Sequence, residues 1–242
     1  MTYNYAAIIA CHGRQELLKY TIRRLLQKNG LKHVICVGGP EEESVCLSEG
    51  AYFIEHENRP LGKKWNAGFN FARHLNIEGV VFVGSSDWLS DNWMDEITPL
   101  MGEYDLVGKP DFYMVDISET KGYRSCLWEG YGKGDRQNEP IGIGRVISSR
   151  ILSTMDWEPF NNSANNSMDF TMFNRVKANG GFCKMVTGPH IKSLSVSTDR
   201  WPNMHQFEHH WLDKVPSRSV KLSTEYLDLE FPEYKLIFDT QP

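Results

Sequence analysis

The sequence has no apolar run long enough to cross a membrane and little that would suit a secreted protein. No apolar stretch approaches the roughly 18 residues that a membrane-spanning helix needs. The N-terminal segment MTYNYAAIIACHGR lacks the positive start and the long apolar region of a signal peptide. The five cysteines are scattered and include no CxxC pair, which favours reduced thiols over disulfides or a zinc site. We therefore expect a cytoplasmic protein without an integral membrane segment.

The motifs of several common α/β enzyme classes are missing as well. The turn after the first apolar run is CHGRQE, whose single glycine argues against the GxGxxG fingerprint of dinucleotide-binding proteins. The sequence contains neither GxxxxGK[ST] nor GxSxG, so a P-loop and the usual hydrolase elbow are not expected. The formal net charge is −5, which argues against a global basic field for nucleic acid but leaves room for a local basic groove.

Short β-forming runs alternate with helical patterns over about the first hundred residues. Strands are expected at Tyr5–Cys11, 33–39, 51–58 and 79–87. The clearest helical spacing between them lies in RQELLKYTIRRLLQK and PLGKKWNAGFNFARHLN. This alternation predicts a mostly parallel α/β sheet flanked by helices. Further along we expect two strands in DLVGKPDFYMVDIS, a β-excursion or loop over Tyr123–Arg136, helices in IGIGRVISSRILSTM and from about Asp169, one or two strands in CKMVTGPHIKSLSVST, and a packed C-terminal tail.

The segment VVFVGSSDW raises a question of function, because a buried strand ends there in two hydroxyls and the carboxylate of Asp87. One interpretation is that Asp87 caps a turn or the next helix. The other is that it holds a metal ion at the carboxyl edge of the sheet, where open α/β folds bind ligands. Asp169 poses a similar choice between a helix N-cap and a general base.

Five segments, in chain order, resemble the family 2 glycosyltransferases, which have the GT-A (nucleotide-diphospho-sugar transferase) fold. They are IIACHGRQELLKYTIRRL, ENRPLGKKWNAGFNFAR, VVFVGSSDW, PIGIGRVISSRILSTMDW and NNSMDFTMF. No repeat or low-complexity linker divides the chain. The resemblance thus implies one GT-A domain over residues 1–242, with a nucleotide-sugar-binding half at about 1–100 and an acceptor half with the C-terminal tail at about 101–242.

The resemblance also implies roles for individual residues. Asp87 takes the place of the metal-binding second acid of Asp-x-Asp, and Ser85 stands where the first acid is usual. A histidine often completes the metal site, and His205 is favoured over His190. Asp169 holds the position of the catalytic base, with Asp156 as the second choice.

Contacts to the donor are expected from residues near the strand ends and the acceptor loop: His12, Arg14, Lys64, Asn66, Ser85 and Arg145. Any single lysine or arginine among them is also explained as an ordinary solvated charge. The aromatic residues Tyr123, Trp128 and Tyr131 would lie where an acceptor docks or would simply pack a hairpin.

The implied activity is that of an inverting hexosyl- or pentosyltransferase using a divalent cation, Mn²⁺ or Mg²⁺. The expected donor is a nucleotide sugar, foremost a UDP-sugar. The acceptor hydroxyl belongs to a glycan or to a hydroxymethylated nucleobase of bacteriophage DNA, and DNA would need Arg124, Lys133 and Arg136 to form a basic groove. The alternatives are a nucleotidyltransferase and a catalytically decayed glycan-binding protein. The oligomeric state is left open.

Overall fold

The computed structural model describes residues 3–119, 122–131, 136–202 and 222–239. Strands and helices alternate through the first third of the chain, as the apolar periodicity predicts. These elements are β1 (Tyr5–Ala10), α1 (Gln15–Leu26), β2 (Leu31–Gly38), α2 (Pro40–Ser48), β3 (Tyr52–Glu55), α3 (Leu61–Ala72) and β4 (Gly79–Gly84).

The rest of the chain has shorter elements in a less regular order. They are β5 (Asp87–Leu89), α4 (Trp93–Ile97), β6 (Leu106–Gly108), β7 (Phe112–Ser118), β8 (Gly122–Trp128), β9 (Arg145–Ser148), α5 (Ser149–Thr154), α6 (Met168–Ala178), β10 (Cys183–Met185), β11 (Ser193–Thr198), α7 (Thr224–Glu230) and α8 (Leu236–Asp239). Short 3-10 turns cover Thr98–Leu100 and Pro232–Lys235.

The strands form two sheets. The central sheet has seven strands in the order β10-β6-β9-β4-β1-β2-β3. Only β9 runs against its neighbours β4 and β6, and the other pairs are parallel. The second sheet has the order β5-β11-β7-β8. The expected α/β class, a central and mostly parallel sheet flanked by helices, is confirmed.

The two faces of the central sheet pack into separate cores because side chains alternate along each strand. Ala7 and Ile9 of β1 pack with residues of α1 and α2. Ala6 and Ile8 point to the other face and pack with residues of α3, α5 and α6. All five cysteines are free thiols. Three of them, scattered in sequence, converge in the first core, where the sulfurs of Cys11, Cys36 and Cys46 lie within 4.8 Å of one another.

Two local features differ from the sequence prediction. The strand expected over 79–87 ends at Gly84, and Asp87 begins β5 in the second sheet. The segment IGIGRVISSRILSTM contains the strand β9 before its helix. Among the residues that the structure describes, no helix is long and apolar enough to cross a membrane.

Candidate active site

A cavity of about 610 Å³ opens at the carboxyl ends of β1 and β4. These strands are parallel neighbours and end side by side, with Ala10 opposite Gly84. The turns that follow them therefore meet at one edge of the sheet, which is where open α/β sheets bind ligands. Five of the side chains predicted for the site line this cavity: His12, Arg14, Ser85, Asp87 and Asp169.

The turn after β1 is held in shape by a buried carboxylate. Glu42, in the first turn of α2, accepts hydrogen bonds from the backbone N–H groups of Gly13 at 2.6 Å and Gly39 at 2.8 Å. Gly13 and Arg14 both adopt left-handed backbone conformations, with φ of 63° and 60°. This sharp turn brings Arg14 to the cavity, where its Nη1 donates to Ser86 Oγ at 3.2 Å.

Asp87 lies half-buried at the start of β5, opposite Ser195 of β11. Its Oδ2 accepts the backbone N–H of Gly84 at 2.6 Å, so it closes the turn between β4 and β5. Burial raises the pKa of the Asp87 carboxyl to about 6, although Gly84, Ser195 and the Arg14 guanidinium each act to lower it. The carboxylate thus closes a turn and also lines the cavity, so the two interpretations of Asp87 are compatible.

Asp169 lies in the first turn of α6. It is far along the chain from the strand-end turns but lines the same cavity. The N-cap residue of this helix is Ser167, so Asp169 does not cap it. The carboxylate Oδ2 accepts the hydroxyl of Tyr131 at 2.7 Å. A Cβ added to Gly142 would lie 2.8 Å from Oδ1 of Asp169, so the carboxylate needs a glycine beside it.

Three predicted donor-binding residues are buried behind the cavity wall and do not line it. Burial lowers the pKa of Lys64, whose Nζ donates to the Cys11 carbonyl and to Asn58 Oδ1. Asn66 exchanges hydrogen bonds with the backbone of Phe160, which does line the cavity. These two residues therefore support the residues of the wall.

Arg145 is the third of these buried residues, and it ties the segment 139–141 to the start of α6. Its Nε donates to the Ile141 carbonyl at 2.6 Å, and its Nη2 contacts Glu139 Oε1 at 3.1 Å and the Pro140 carbonyl. Its Nη1 donates to the backbone carbonyl of Asp169 at 3.0 Å. Arg145 thus fixes the start of α6 and does not face the cavity.

The second-choice residues lie elsewhere. Asp156 has a side chain 87% exposed and contacts Arg73 at 3.4 Å, outside the residues that line the cavity. His190 is exposed and is also not a lining residue. His205 falls outside the described residues.

The predicted basic groove is largely neutralised where the structure describes it. Arg124 Nε donates to Asp116 Oδ2 at 3.2 Å. Arg136 binds Glu139 through two hydrogen bonds of 2.6 and 2.7 Å. Lys133, the third member, lies outside the described ranges.

Sequence reasoning did not assign most of the apolar wall of the cavity. That wall includes Trp65, Phe82, Phe112, Met114, Trp128, Ile141, Ile143, Phe160 and Met168. The sequence does point to Trp128 and Tyr131, whose rings pack edge to face with centroids 4.9 Å apart. The other residues come from strands, helices and loops, and their apolar side chains cannot be told from core residues in the sequence.

The donor atoms around Asp87 are hard oxygens, which suit Mg²⁺ or Mn²⁺. The hydroxyl residues Ser85, Ser86 and Ser195 line the same edge of the cavity. Within the described part of the chain, Asp87 belongs to no cluster of three His, Cys, Asp or Glu ligands. A single carboxylate suits a cation whose remaining ligands are phosphate oxygens and water. The residues present therefore fit a cation held jointly with a phosphorylated ligand.

Comparison with solved structures supports the fold assignment. The structure of S. aureus TarS 1-349, which is GT-A-like, superposes with a TM-score of 0.59 at 11% identity, covering 80% of this chain and 60% of that one. TarS 1-349 in complex with UDP gives 0.56 at 13% identity, with the same coverage of each chain. The inositol-1-phosphate CTP transferase from T. maritima gives 0.49 at 11% identity, covering 84% of this chain and 93% of that one. No protein-family model and no curated protein matches the sequence.

The fold is thus similar to that of TarS and is of the GT-A type. At these low identities the likeness concerns the fold alone. The present chain spans about 60% of the length of the TarS 1-349 chain that it matches.

Proposed function

We propose that the protein is a glycosyltransferase that moves a sugar from a nucleoside-diphosphate sugar to an acceptor hydroxyl. The observation that carries the proposal is the meeting of Arg14, Asp87 and Asp169 in one cavity at the strand ends. The guanidinium of Arg14 and the carboxylate of Asp87, which suits a metal ion, line one part of this cavity. The carboxylate of Asp169 lines another part. The UDP complex of TarS, a neighbour with the same type of fold, supports a uridine nucleotide as the donor.

The strand-end turns would bind the donor. When a nucleoside diphosphate leaves, negative charge builds on its phosphates and must be neutralised. Arg14 reaches the cavity and supplies one positive charge, and His12 and Ser85 line the same end. Asp87 would hold Mg²⁺ or Mn²⁺, with the diphosphate and water as the other ligands, and the cation would add its charge to the neutralisation.

Asp169 would act as the general base. In a single displacement, the acceptor oxygen forms a bond to the anomeric carbon while the bond from that carbon to the diphosphate oxygen breaks. The acceptor proton passes to the Asp169 carboxylate, and the bonding pair leaves with the nucleoside diphosphate. The sugar's anomeric configuration is inverted because one displacement occurs.

A saccharide is the acceptor class that the cavity favours. Its wall carries the half-buried indole of Trp128, and aromatic faces stack on sugar rings. The arginines expected to bind a DNA backbone are instead paired with Asp116 and Glu139. A hexosyl- or pentosyl-transfer to a glycan hydroxyl is therefore the specific form of the proposal.

The first experiment measures thermal stability with UDP and other nucleoside diphosphates, each with and without Mn²⁺. Binding to the native state alone adds ~2.7 kcal/mol of stability at a hundredfold excess over the dissociation constant. We expect one nucleotide to raise the melting temperature in the presence of Mn²⁺. Asp87→Asn, which keeps an oxygen to accept the Gly84 N–H, should abolish the metal-dependent part.

The matched control is Asp156→Asn, which removes an exposed carboxylate outside the cavity and should leave the shift intact.

Turnover is then followed as release of nucleoside diphosphate from nucleotide sugars with a panel of saccharides. Asp169→Asn should lower kcat by about 10²- to 10⁴-fold while leaving the thermal shift in place. Pyrophosphate release from CTP or UTP would instead support a nucleotidyltransferase. Ligand binding without turnover would support a decayed glycan-binding protein, and no shift at millimolar nucleotide would overturn the proposal.

A further inference from the structure

Asp169 belongs to a closed ring of contacts between residues that are far apart in the sequence. Tyr131 donates its hydroxyl to Oδ2 at 2.7 Å. On the backbone side, Arg145 Nη1 donates to the carbonyl of the same aspartate at 3.0 Å. Both the side chain and the main chain of Asp169 are therefore held by groups that do not belong to its own helix.

The ring closes through two arginines and a buried acid. Arg145 Nη2 lies 3.1 Å from Glu139 Oε1, and both side chains are fully buried. Glu139 also accepts the two hydrogen bonds from Arg136. The guanidinium carbon of Arg136 in turn lies 3.2 Å from the centre of the Tyr131 ring.

The Tyr131 ring is therefore confined between two neighbours. Arg136 covers its face, and Trp128 packs against it edge to face with ring centroids 4.9 Å apart. Burial raises the pKa of Tyr131, and the nearby Asp169 carboxylate raises it further. The phenol is thus a permanent hydrogen-bond donor at neutral pH.

We propose that Tyr131 is a positioning residue that orients the Asp169 carboxylate toward the acceptor hydroxyl. The inference rests on the proposed transferase function and extends it by assigning a use to each carboxylate oxygen. Oδ2 is occupied by the phenol. Oδ1 packs beside Gly142, because a Cβ there would lie 2.8 Å from it, and Asp169 and Gly142 both line the cavity. The acceptor hydroxyl would approach Oδ1 from the cavity.

Tyr131→Phe removes the hydroxyl and keeps the ring. A hydrogen bond to a charged group contributes enough that its loss should lower kcat about 10- to 100-fold. The donor KM and the metal-dependent UDP shift should stay as in the native protein, because the strand-end turns are unchanged. Tyr52→Phe, at the exposed edge strand β3, is the matched control.

The split between kcat and the donor KM separates this role from a merely structural one. The contacts of Arg145 to the Asp169 carbonyl and to Glu139 remain in the variant. Loss of the orienting hydrogen bond should therefore lower kcat alone, whereas a loosened fold would also raise the donor KM and weaken the UDP shift. Tyr52→Phe should change none of these three quantities.

Gly142→Ala tests the same inference from the other side. The added Cβ would fall 2.8 and 2.9 Å from the two carboxylate oxygens, so Asp169 must move. We expect kcat to fall again with an unchanged UDP shift. Gly102→Ala, where nothing lies within 4 Å of the added carbon, is the control.

The possible failures can be told apart. If the native protein shows no turnover with any nucleotide sugar, the proposed function itself is overturned. If the native protein turns over and Tyr131→Phe retains its kcat, the positioning role is overturned. Should Tyr131→Phe lose the UDP shift through misfolding, Gly142→Ala decides, and native-like kcat in that variant would contradict the inference.

Discussion

At the scale of single residues, Lys28 is a buried cation that does not line the cavity of the candidate site. Its ammonium lies 3.0 Å from Asp91, whose side chain is 67% exposed, and next to the buried guanidinium of Arg24. Burial lowers the pKa of Lys28 to about 8, and the charge of Arg24 contributes, while Asp91 and Glu230 oppose the shift. Holding this proton therefore costs stability at neutral pH.

Lys28→Met should raise the free energy of unfolding at pH 7 by on the order of 1 kcal/mol, because the buried charge is removed. The sign follows from proton uptake. Between the folded value of about 8 and the unfolded value near ~10.4, the unfolded chain binds more protons, so the native protein gains stability from Lys28 as pH rises. The advantage of the variant should therefore shrink between pH 8 and pH 10. Denaturant titrations at several pH values measure it, and parallel curves for the two proteins would contradict the explanation.

The sequence does not distinguish the residues that line the cavity from the buried residues that hold its wall in place. Arg14 and Asp87 could be placed because each follows directly on a strand that ends at the sheet edge. Lys64 and Arg145 looked equivalent to Arg14 in the sequence, yet they are buried behind the wall. What decides their direction is a partner far along the chain, such as the Cys11 carbonyl 53 residues from Lys64. A local sequence pattern cannot predict a partner that is so far away along the chain.

At the scale of elements, the C-terminal segment is part of the body of the protein. Phe231, between α7 and the following turn, is completely buried and stacks on Trp88 of β5 with ring centroids 6.4 Å apart. The guanidinium of Arg24 lies 4.5 Å from the centre of the same ring and donates to Glu233 at 2.8 Å. The segment thus covers one face of the second sheet and holds α1 against it.

Phe231→Ala should lower the free energy of unfolding by about 3–5 kcal/mol, the range for removing a buried aromatic ring. It should also leave Trp88 less protected from solvent, with a red shift of tryptophan emission. Leu229→Ala, two residues away and 77% exposed, should change stability by less than ~0.5 kcal/mol. Urea unfolding followed by fluorescence measures both variants. Equal stabilities would mean that the segment is not anchored by this ring.

The elements that sequence patterns predicted best are those with a long apolar period. β1, α1 and β4 follow from runs that are buried on both faces or amphipathic over several turns. β9 was missed because its four residues, RVIS, continue directly into the helix α5 and leave no turn signal between them. β5 was missed because its three residues are a strand only through pairing with β11, more than a hundred residues away.

At the scale of the whole molecule, the two sheets together create the cavity. The central sheet supplies the ends of β1 and β4, and the second sheet supplies Phe112, Trp128 and Ser195. Asp87, the residue proposed to hold the cation, also belongs to the second sheet as the first residue of β5. In the proposed transfer both substrates must reach one point, and a cavity whose wall comes from both sheets offers a surface to each of them.

The charge of the whole molecule bears on the choice of acceptor. The net charge is −5, and Arg124 and Arg136 are each paired with a carboxylate. Binding to duplex DNA depends on cations that are free to replace counterions at the phosphates.

We therefore expect no binding of a labelled 30-base-pair duplex, with or without hydroxymethylated bases, in fluorescence anisotropy at 150 mM salt. A saccharide, the acceptor class that we propose, should bind with little dependence on salt. Duplex binding at 50 mM salt that weakens by a factor of about 10² or more by 200 mM would show a phosphate-binding surface. That result would make a modified nucleobase the acceptor to test in place of a glycan.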